Sequence, residues 1–207
     1  MTEKLTGISG SMAAGKTDRI IELARREGFK KHNVLAFKPA LDNRWDSKNL
    51  LVSRTMEGEV RKSFPAYSIN TSQELLQIVV DYLENNHKLD HVYIDEVQFF
   101  DEQIVDVIKL ILDLDIPVTF GGLALDFRGE PFGQMPVLLS LSDQIETLTA
   151  ICEVCGDNAT RTQRLINNHP ANYNDPIVLI GAEQNYQARC VKHHEVPNKP
   201  KPLINHR

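Results

Sequence analysis

Gly10-Ser11-Met12-Ala13-Ala14-Gly15-Lys16-Thr17 matches G-x-x-x-x-G-K-[ST], the spacing of a loop whose backbone N–H groups cradle phosphate oxygens. In that chemistry Lys16 reaches the β- and γ-phosphates, and the Thr17 hydroxyl is offered to Mg2+. A second acid is then needed, and Asp95-Glu96 follows directly on the apolar run His91-Val92-Tyr93-Ile94. Asp95 has the placement of a magnesium-holding carboxylate. Glu96 beside it is placed to orient and deprotonate an attacking hydroxyl. The bland alternatives are a glycine turn before a surface helix, and two surface acids capping the helix that follows.

Cys152-Glu153-Val154-Cys155 and Cys190-Val191-Lys192-His193 pair a C-x-x-C with a C-x-x-H. Two such tight turns supply four soft ligands tetrahedrally to zinc. The pattern has no spare ligand, so the site reads as closed and structural, stapling the ends of the intervening segment, which has too little apolar content to hold itself. His194 is the alternative fourth ligand, less well spaced than His193. The competing readings are a redox C-x-x-C, which lacks a reason for the second pair, and unpaired core thiols. A third set is aromatic: Phe127 and Phe132 lie in a Gly/Pro-rich stretch from Gly121 to Pro136. There they either wall a pocket for a flat ring or plug the core beneath the loop.

These groups need elements to position them. Leu5 and Ile8 precede the phosphate loop as a short strand. Ile20, Ile21, Leu23 and Ala24 follow at helical spacing, with Gly28 as the expected stop. Val34–Phe37 reads as a buried parallel strand. Weaker strands are expected at Leu50–Ser53 and Ala66–Ile69, separated by a polar stretch around Gly58. Thr71 and Glu74 form a capping box ahead of a helix whose apolar face is Leu75, Ile78, Val79, Tyr82 and Leu83, ended by Asn85-Asn86. Strand His91–Ile94, a helix over Glu102–Asp113 and strand Ile116–Phe120 complete an alternation that implies a doubly wound parallel α/β sheet. Ligands on such sheets sit beyond the carboxyl ends of the strands. The phosphate loop, Asp95-Glu96 and Gly121-Gly122 all follow such ends and are expected to converge.

The texture changes near residue 148. The expected organisation is a phosphate-binding α/β domain over 1–148, a zinc-binding subdomain over 149–194 and a flexible tail over 195–207, rich in Pro and Lys. Asn167–Pro176 reads as a loop rich in turn formers. The 207-residue chain is 42% hydrophobic and 25% charged, the composition of a globular protein, and carries a net charge of −5. That charge, with scattered lysines and arginines, argues against a nucleic-acid partner. With neither an apolar run of membrane-spanning length nor a secretory h-region, the expected compartment is cytoplasmic.

With these residues together, the chain resembles the thymidine kinases of the type II class, the small zinc-containing kind of bacteria, many phages and animal cytosol. The motifs that carry the resemblance are Gly10–Thr17, Phe37-Lys38-Pro39-Ala40 with Asp42 and Arg44, Asp95-Glu96-Val97-Gln98-Phe99-Phe100, and Asp126-Phe127-Arg128-Gly129-Glu130-Pro131-Phe132-Gly133. Leu148–Cys152, Ala159–Leu165 and Tyr186 through His194 extend it over most of the chain. It implies a RecA-like P-loop NTPase sheet with a small zinc-ribbon lasso subdomain, and transfer of the γ-phosphoryl group of ATP to the 5′-hydroxyl of thymidine or deoxyuridine. Glu96 would be the general base, with Arg44 near the transferring phosphate. Gly10, Ser11, Met12, Ala13, Ala14, Gly15, Lys16, Thr17, Asp95 and Gln98 would bind ATP, and Thr17 and Asp95 would hold Mg2+. Met12, Phe99, Leu123, Phe127, Phe132 and Tyr186 would surround the thymine ring, with backbone near Ile180 and Gly181 bonding the base. Structural Zn2+ on Cys152, Cys155, Cys190 and His193, a homotetramer, and inhibition by dTTP in deoxynucleotide salvage are further implications. The chain departs from many bacterial relatives at Ser53-Arg54-Thr55-Met56-Glu57-Gly58, where Ser-His-Asp-Gly is common, and at Trp45 and Ala124.

Two other functions compete. A nucleic-acid-coupled P-loop ATPase with a zinc finger requires a basic strand-binding surface. A guanine-nucleotide switch requires an N-K-x-D element, and the nearest match, Asn198-Lys199-Pro200-Lys201, lacks the aspartate.

Overall fold

The structure, a computed structural model, describes residues 4–40, 49–54, 59–85, 87–178 and 184–201. Asp42, Arg44, Trp45, Thr55, Met56, Glu57, Gly58, Asn86, Ile180 and Gly181 lie outside the described residues. The protein is mixed α/β, with a wholly parallel central sheet. Its strands are β1 (Leu5–Gly10), β2 (Val34–Pro39), β5 (Tyr67–Ile69), β6 (His91–Ile94), β7 (Val118–Gly122) and β8 (Gln144–Leu148), in the order β5-β2-β6-β7-β1-β8. Between β2 and β5 an antiparallel hairpin, β3 (Leu50–Arg54) and β4 (Val60–Pro65), stands apart from the sheet.

Alternation along the strands divides the core between two faces. Leu35, Phe37, Val92, Ile94, Val118 and Phe120 pack with helices α2 (Ser72–Glu84), α3 (Ile104–Asp113) and α4 (Met135–Leu141). On the other face Ile8, Ala36 and Tyr93 meet Ile20, Ile21 and Ala24 of helix α1 (Lys16–Phe29), joined by Leu51 and Ala66. Helices thus cover both faces. The Thr71 hydroxyl caps α2 by accepting the Glu74 N–H at 3.2 Å, while Glu74 reaches back to the N–H of Asn70 at 2.9 Å, one residue short of the reciprocal capping-box bond.

Several boundaries differ from the sequence reading. Gly28 does not stop α1; the helix runs to Phe29 and the chain reverses at Lys31, which has φ 61°. A single glycine in a last turn costs only about 1 kcal/mol. Gly121-Gly122 are the end of β7 rather than a loop, because their ladder to Ile8 and Ser9 of β1 continues. The strand accordingly covers Val118–Gly122 instead of Ile116–Phe120, and α3 begins at Ile104 rather than Glu102. The polar stretch before Ala66 contains β4, stabilised by its pairing with β3 and not by its own apolar content. Helix α4 and strand β8 were not expected. Pro136 enters α4 in its first turn, where a missing N–H is harmless, and β8 is an edge strand without a clear apolar alternation.

The remaining chain forms a second lobe from β9 (Ala150–Ile151), β10 (Asn158–Ala159), β11 (Arg161–Ile166), β12 (His169–Pro170) and β13 (Gln184–Arg189). β9 pairs with β10, and β11 lies between β12 and β13, all antiparallel. Residues 195–201, read from their prolines as the start of a free tail, make defined contacts. Gln163 and Glu195 exchange two hydrogen bonds at 2.8 and 2.9 Å, and the Tyr173 N–H reaches Pro197 O at 2.9 Å. Among the described residues no helix is long and apolar enough to cross a membrane.

Candidate active site

The phosphate loop lies between the end of β1 and the first turn of α1, whose N–H groups have no partner within the helix. Ala13 and Gly15 take left-handed conformations, φ 60° and 85°, which fold the loop back over the helix start. Lys16 is buried and its Nζ donates to Ser11 O at 2.8 Å, across the concavity that the loop encloses. A cavity of about 610 Å³ opens there, lined by Met12, Ala13, Gly15, Lys16, Thr17, Glu96 and, from the β3–β4 hairpin, Val52, Ser53, Arg54 and Arg61. The hairpin is latched to α1 at Asp18, which accepts from Ser53 Oγ at 2.8 Å and from Arg61 at 3.2 Å. Sequence reasoning did not assign the latch, since it joins residues far apart in the chain.

Asp95 emerges from β6 beside this loop. Thr17 Oγ1 donates to its Oδ2 at 2.7 Å, so the two side chains expected to hold Mg2+ are in contact. The Asp95 carboxyl is raised to about 7, first by burial and then by the charge of Glu96; the Thr17 hydroxyl and the Lys16 ammonium oppose the shift. A hydroxyl oxygen and a carboxylate whose ionised form is disfavoured by burial and by the Glu96 charge form a donor set that fits a hard divalent cation. Glu96 has φ 51° and ψ 43°, left-handed for a non-glycine residue, and lines the same cavity. Neither carboxylate caps a helix through its side chain: Glu96 leads into the short 3-10 turn Val97–Phe99 without a side-chain cap bond, and α3 starts only at Ile104. Gln98 is buried, and its side chain bonds Glu96 and the N–H of Leu123.

The aromatic stretch is a closed loop around Asp126. This buried carboxylate accepts from the N–H groups of Arg128 and Glu130 at 2.8 and 3.0 Å and from the Arg128 side chain. Phe127 is 4% exposed, and the fully buried Arg164 guanidinium of β11 stacks on it at 3.6 Å from the ring centroid. Arg164 also donates to Pro176 O at 2.6 Å and Ile177 O at 3.2 Å, joining this loop to the end of the turn-rich segment Asn167–Pro176. Phe132 meets Phe99 edge-on, centroids 5.3 Å apart. Register places Tyr186 of β13 directly opposite Arg164, hence on the same face. Of the expected ring contacts, Phe99 meets Phe132, while Phe127 lies under Arg164, whose cross-strand neighbour is Tyr186. Leu123 is buried at the end of β7 and Met12 lies in the phosphate loop.

Cys152, Cys155, Cys190 and His193 place one ligand atom each within 4.8 Å of all the others. Cys155 Sγ and Cys190 Sγ are 3.8 Å apart, Cys152 Sγ and His193 Nδ1 3.8 Å, and Cys190 Sγ and His193 Nδ1 3.2 Å. A tetrahedron with Zn–S of about 2.3 Å and Zn–N of about 2.0 Å has edges of about 3.5–3.8 Å, so this quartet fits zinc. The thiols compete for ionisation. Burial opposes the Cys152 thiolate, but N–H groups of Cys190, Val154 and Cys155 outweigh it and bring the thiol to about 6. Cys155 is pushed up to about 11: the Asp157 N–H favours its thiolate, but burial and its thiol neighbours prevail. His194 is engaged elsewhere, 2.8 Å from Phe127 O through Nε2, which leaves His193 as the fourth ligand.

The lobe also grips the phosphate loop. Ser11 Oγ donates to Ala159 O at 3.2 Å, the Met12 N–H donates to Thr162 Oγ1 at 3.1 Å, and Ala14 packs on the cluster of Ala150, Cys152, Ala159, Ala188 and Cys190. Thr162 and Arg164 were legible in the sequence only as part of a longer motif, because their partners lie in other lobes of the chain.

The family profile described as "Thymidine kinase" matches residues 3–194. The chain belongs to the thymidine kinase family. A thymidine kinase of Coprothermobacter proteolyticus is 44% identical over 192 residues, which cover 93% of this chain and 90% of the relative. Membership in this family accords with the mixed α/β fold, the phosphate loop and the zinc-fitting quartet.

Proposed function

We propose that this protein phosphorylates thymidine, with ATP as donor. Family membership supports the acceptor. The observation that carries the chemistry is the contact of Thr17 with Asp95 beside Glu96, where Lys16, Thr17 and Glu96 line one cavity. In this reading Gly10 through Thr17 wrap the triphosphate and Lys16 follows the charge on its terminal groups. Thr17 and Asp95 hold Mg2+, which supplies charge neutralisation on the phosphoryl oxygens. Glu96 takes the proton of the 5′-hydroxyl as that oxygen bonds to the γ-phosphorus and the bond to the bridging oxygen breaks, giving dTMP and ADP. Arg44 offsets charge developing on the transferred group. Met12, Phe99, Leu123, Phe127, Phe132 and Tyr186 enclose the base, with backbone at Ile180 and Gly181 reading its edge, while zinc on the Cys3His quartet keeps the lobe closed over it. Deoxyuridine as a second acceptor, feedback by dTTP, a homotetramer in the cytoplasm and a place in deoxynucleotide salvage complete the reading.

The test is phosphate transfer from Mg–ATP to a panel of deoxynucleosides, with dTTP added in parallel. Selective phosphorylation of thymidine, suppressed by dTTP, is expected. ATP binding with no transfer to any nucleoside would sink the reading.

A further inference from the structure

We propose that Gln98 is a positioning residue for the base, holding the Glu96 carboxylate and tying it to the start of the nucleoside loop. The inference rests on the reading of Glu96 as the general base. Gln98 is 3% exposed and lies in the single 3-10 turn, Val97–Phe99, that follows Glu96. Both ends of its amide are engaged: Nε2 donates to Glu96 Oε2, and Oε1 accepts the Leu123 N–H at 3.1 Å. The orientation of the amide follows from chemistry. A backbone N–H can only donate, so the oxygen must face Leu123 and the NH2 must face the carboxylate.

The surroundings are shaped to keep the side chain there. A Cβ on Gly122 would lie 2.3 Å from Gln98 Oε1, and a Cβ on Gly133, which has φ 50°, would lie 2.4 Å from the Gln98 carbonyl oxygen. Both glycines thus leave room for this residue. Glu96 sits in a sparsely populated backbone conformation that needs support from its neighbours. Glu96 lines the phosphate cavity, whereas Gln98 is not one of the described residues that line it. An amide buried behind the base, facing the loop that carries Leu123 and Phe127, acts through Glu96 rather than on the donor nucleotide. It also makes the position of the base depend on the strand end that meets the nucleoside.

Two substitutions separate the roles. Gln98→Glu keeps an acceptor for Leu123 but sets a carboxylate against Glu96; Gln98→Met keeps the shape and removes both bonds. A displacement of a reacting group by about 1 Å costs on the order of a hundredfold in rate. Gln98→Glu should therefore lower kcat by about thirty- to a hundredfold and Gln98→Met by about tenfold, with Mg–ATP binding held within about threefold. Equilibrium ATP binding, kcat and KM for both substrates, and the unfolding midpoint are measured on the full chain, with Gln98→Met serving if Gln98→Glu does not fold. Weakened ATP binding with kcat retained would make Gln98 a donor contact and overturn the proposal. Parallel losses of stability, binding and kcat would reduce it to a packing residue and overturn it too. Glu96→Gln is assayed alongside: if it still turns over, the base reading has failed, whereas an inactive Glu96→Gln with normal Gln98 variants defeats the positioning role alone.

Discussion

In the sheet domain Ile8, Phe37, Val92, Ile94, Val118 and Phe120 are all buried to 0% exposure, while the largest apolar cluster of the second lobe consists of three alanines and two cysteines. Fully burying a large apolar side chain contributes about 1.5–3 kcal/mol, and an alanine far less. The sheet therefore has a large apolar core of its own, and the lobe a small one. The lobe's Cys3His quartet is suited to hold it together, since a structural zinc contributes about 10–16 kcal/mol in small metal-folded peptides. Yet the lobe is not an appendage: it bonds Ser11 and Met12, packs on Ala14, and covers Phe127 with Arg164. On the proposed reading, the half with the larger apolar core carries the reactive groups, and the half with the zinc-fitting quartet closes around them.

Four experiments bear on this division. The largest effect is expected for Glu96→Gln, which should cut kcat by about 10²–10⁴-fold, the usual contribution of a general base, while Mg–ATP binding and zinc content stay near normal. Turnover close to that of the unmodified protein would place the reacting group outside the sheet domain. Next, removing the metal with a strong chelator, or Cys190→Ser, should open residues 150–190 to amide hydrogen exchange and leave β1, β2, β6 and β7 protected. ATP binding should weaken by about tenfold, because the loop loses its bonds at Ser11 and Met12. Sheet and lobe melting as one unit would contradict the comparison.

A pH effect follows from the raised Asp95 carboxyl. Its native value lies near 7, above that of an ordinary aspartate, so the proton is held below about pH 7 and must leave before the carboxylate can share a cation. Mg–nucleotide affinity should fall as pH drops through 7, by at most about tenfold per unit, with proton release on binding detectable by calorimetry in buffers of different ionisation enthalpy. Asp95→Asn should abolish that release. Proton release that persists would assign the titration to another group. The smallest effect is expected for Thr162→Val, which deprives the Met12 N–H of its acceptor and should cost about 1 kcal/mol. A double-mutant cycle with Ser11→Ala, read by unfolding and by ATP binding, measures whether the two bonds act together. A coupling energy near zero would mean that the two bonds hold the loop independently, and no loss in either single variant would leave the packing at Ala14 to hold it.

Local chemistry was legible from spacing. The phosphate loop, the acid pair behind an apolar strand, the capped helix α2 and the two metal half-sites each occupy a few neighbouring residues, and their conformations are set by short-range turns and hydrogen bonds. Only the tertiary structure decided the rest. Strands β4 and β8 exist because of their partners, and Gly121-Gly122 extend β7 because β1 lies alongside. Thr162 meets Met12 across 150 residues, and Arg164 covers Phe127 from another lobe. Gln98 shows the difference most clearly. The sequence places it two residues from Glu96 and by resemblance among donor contacts, but the direction of its amide depends on Leu123, which sheet order alone brings within 3.1 Å. Contacts between distant segments depend on register and strand order, and no local pattern records them.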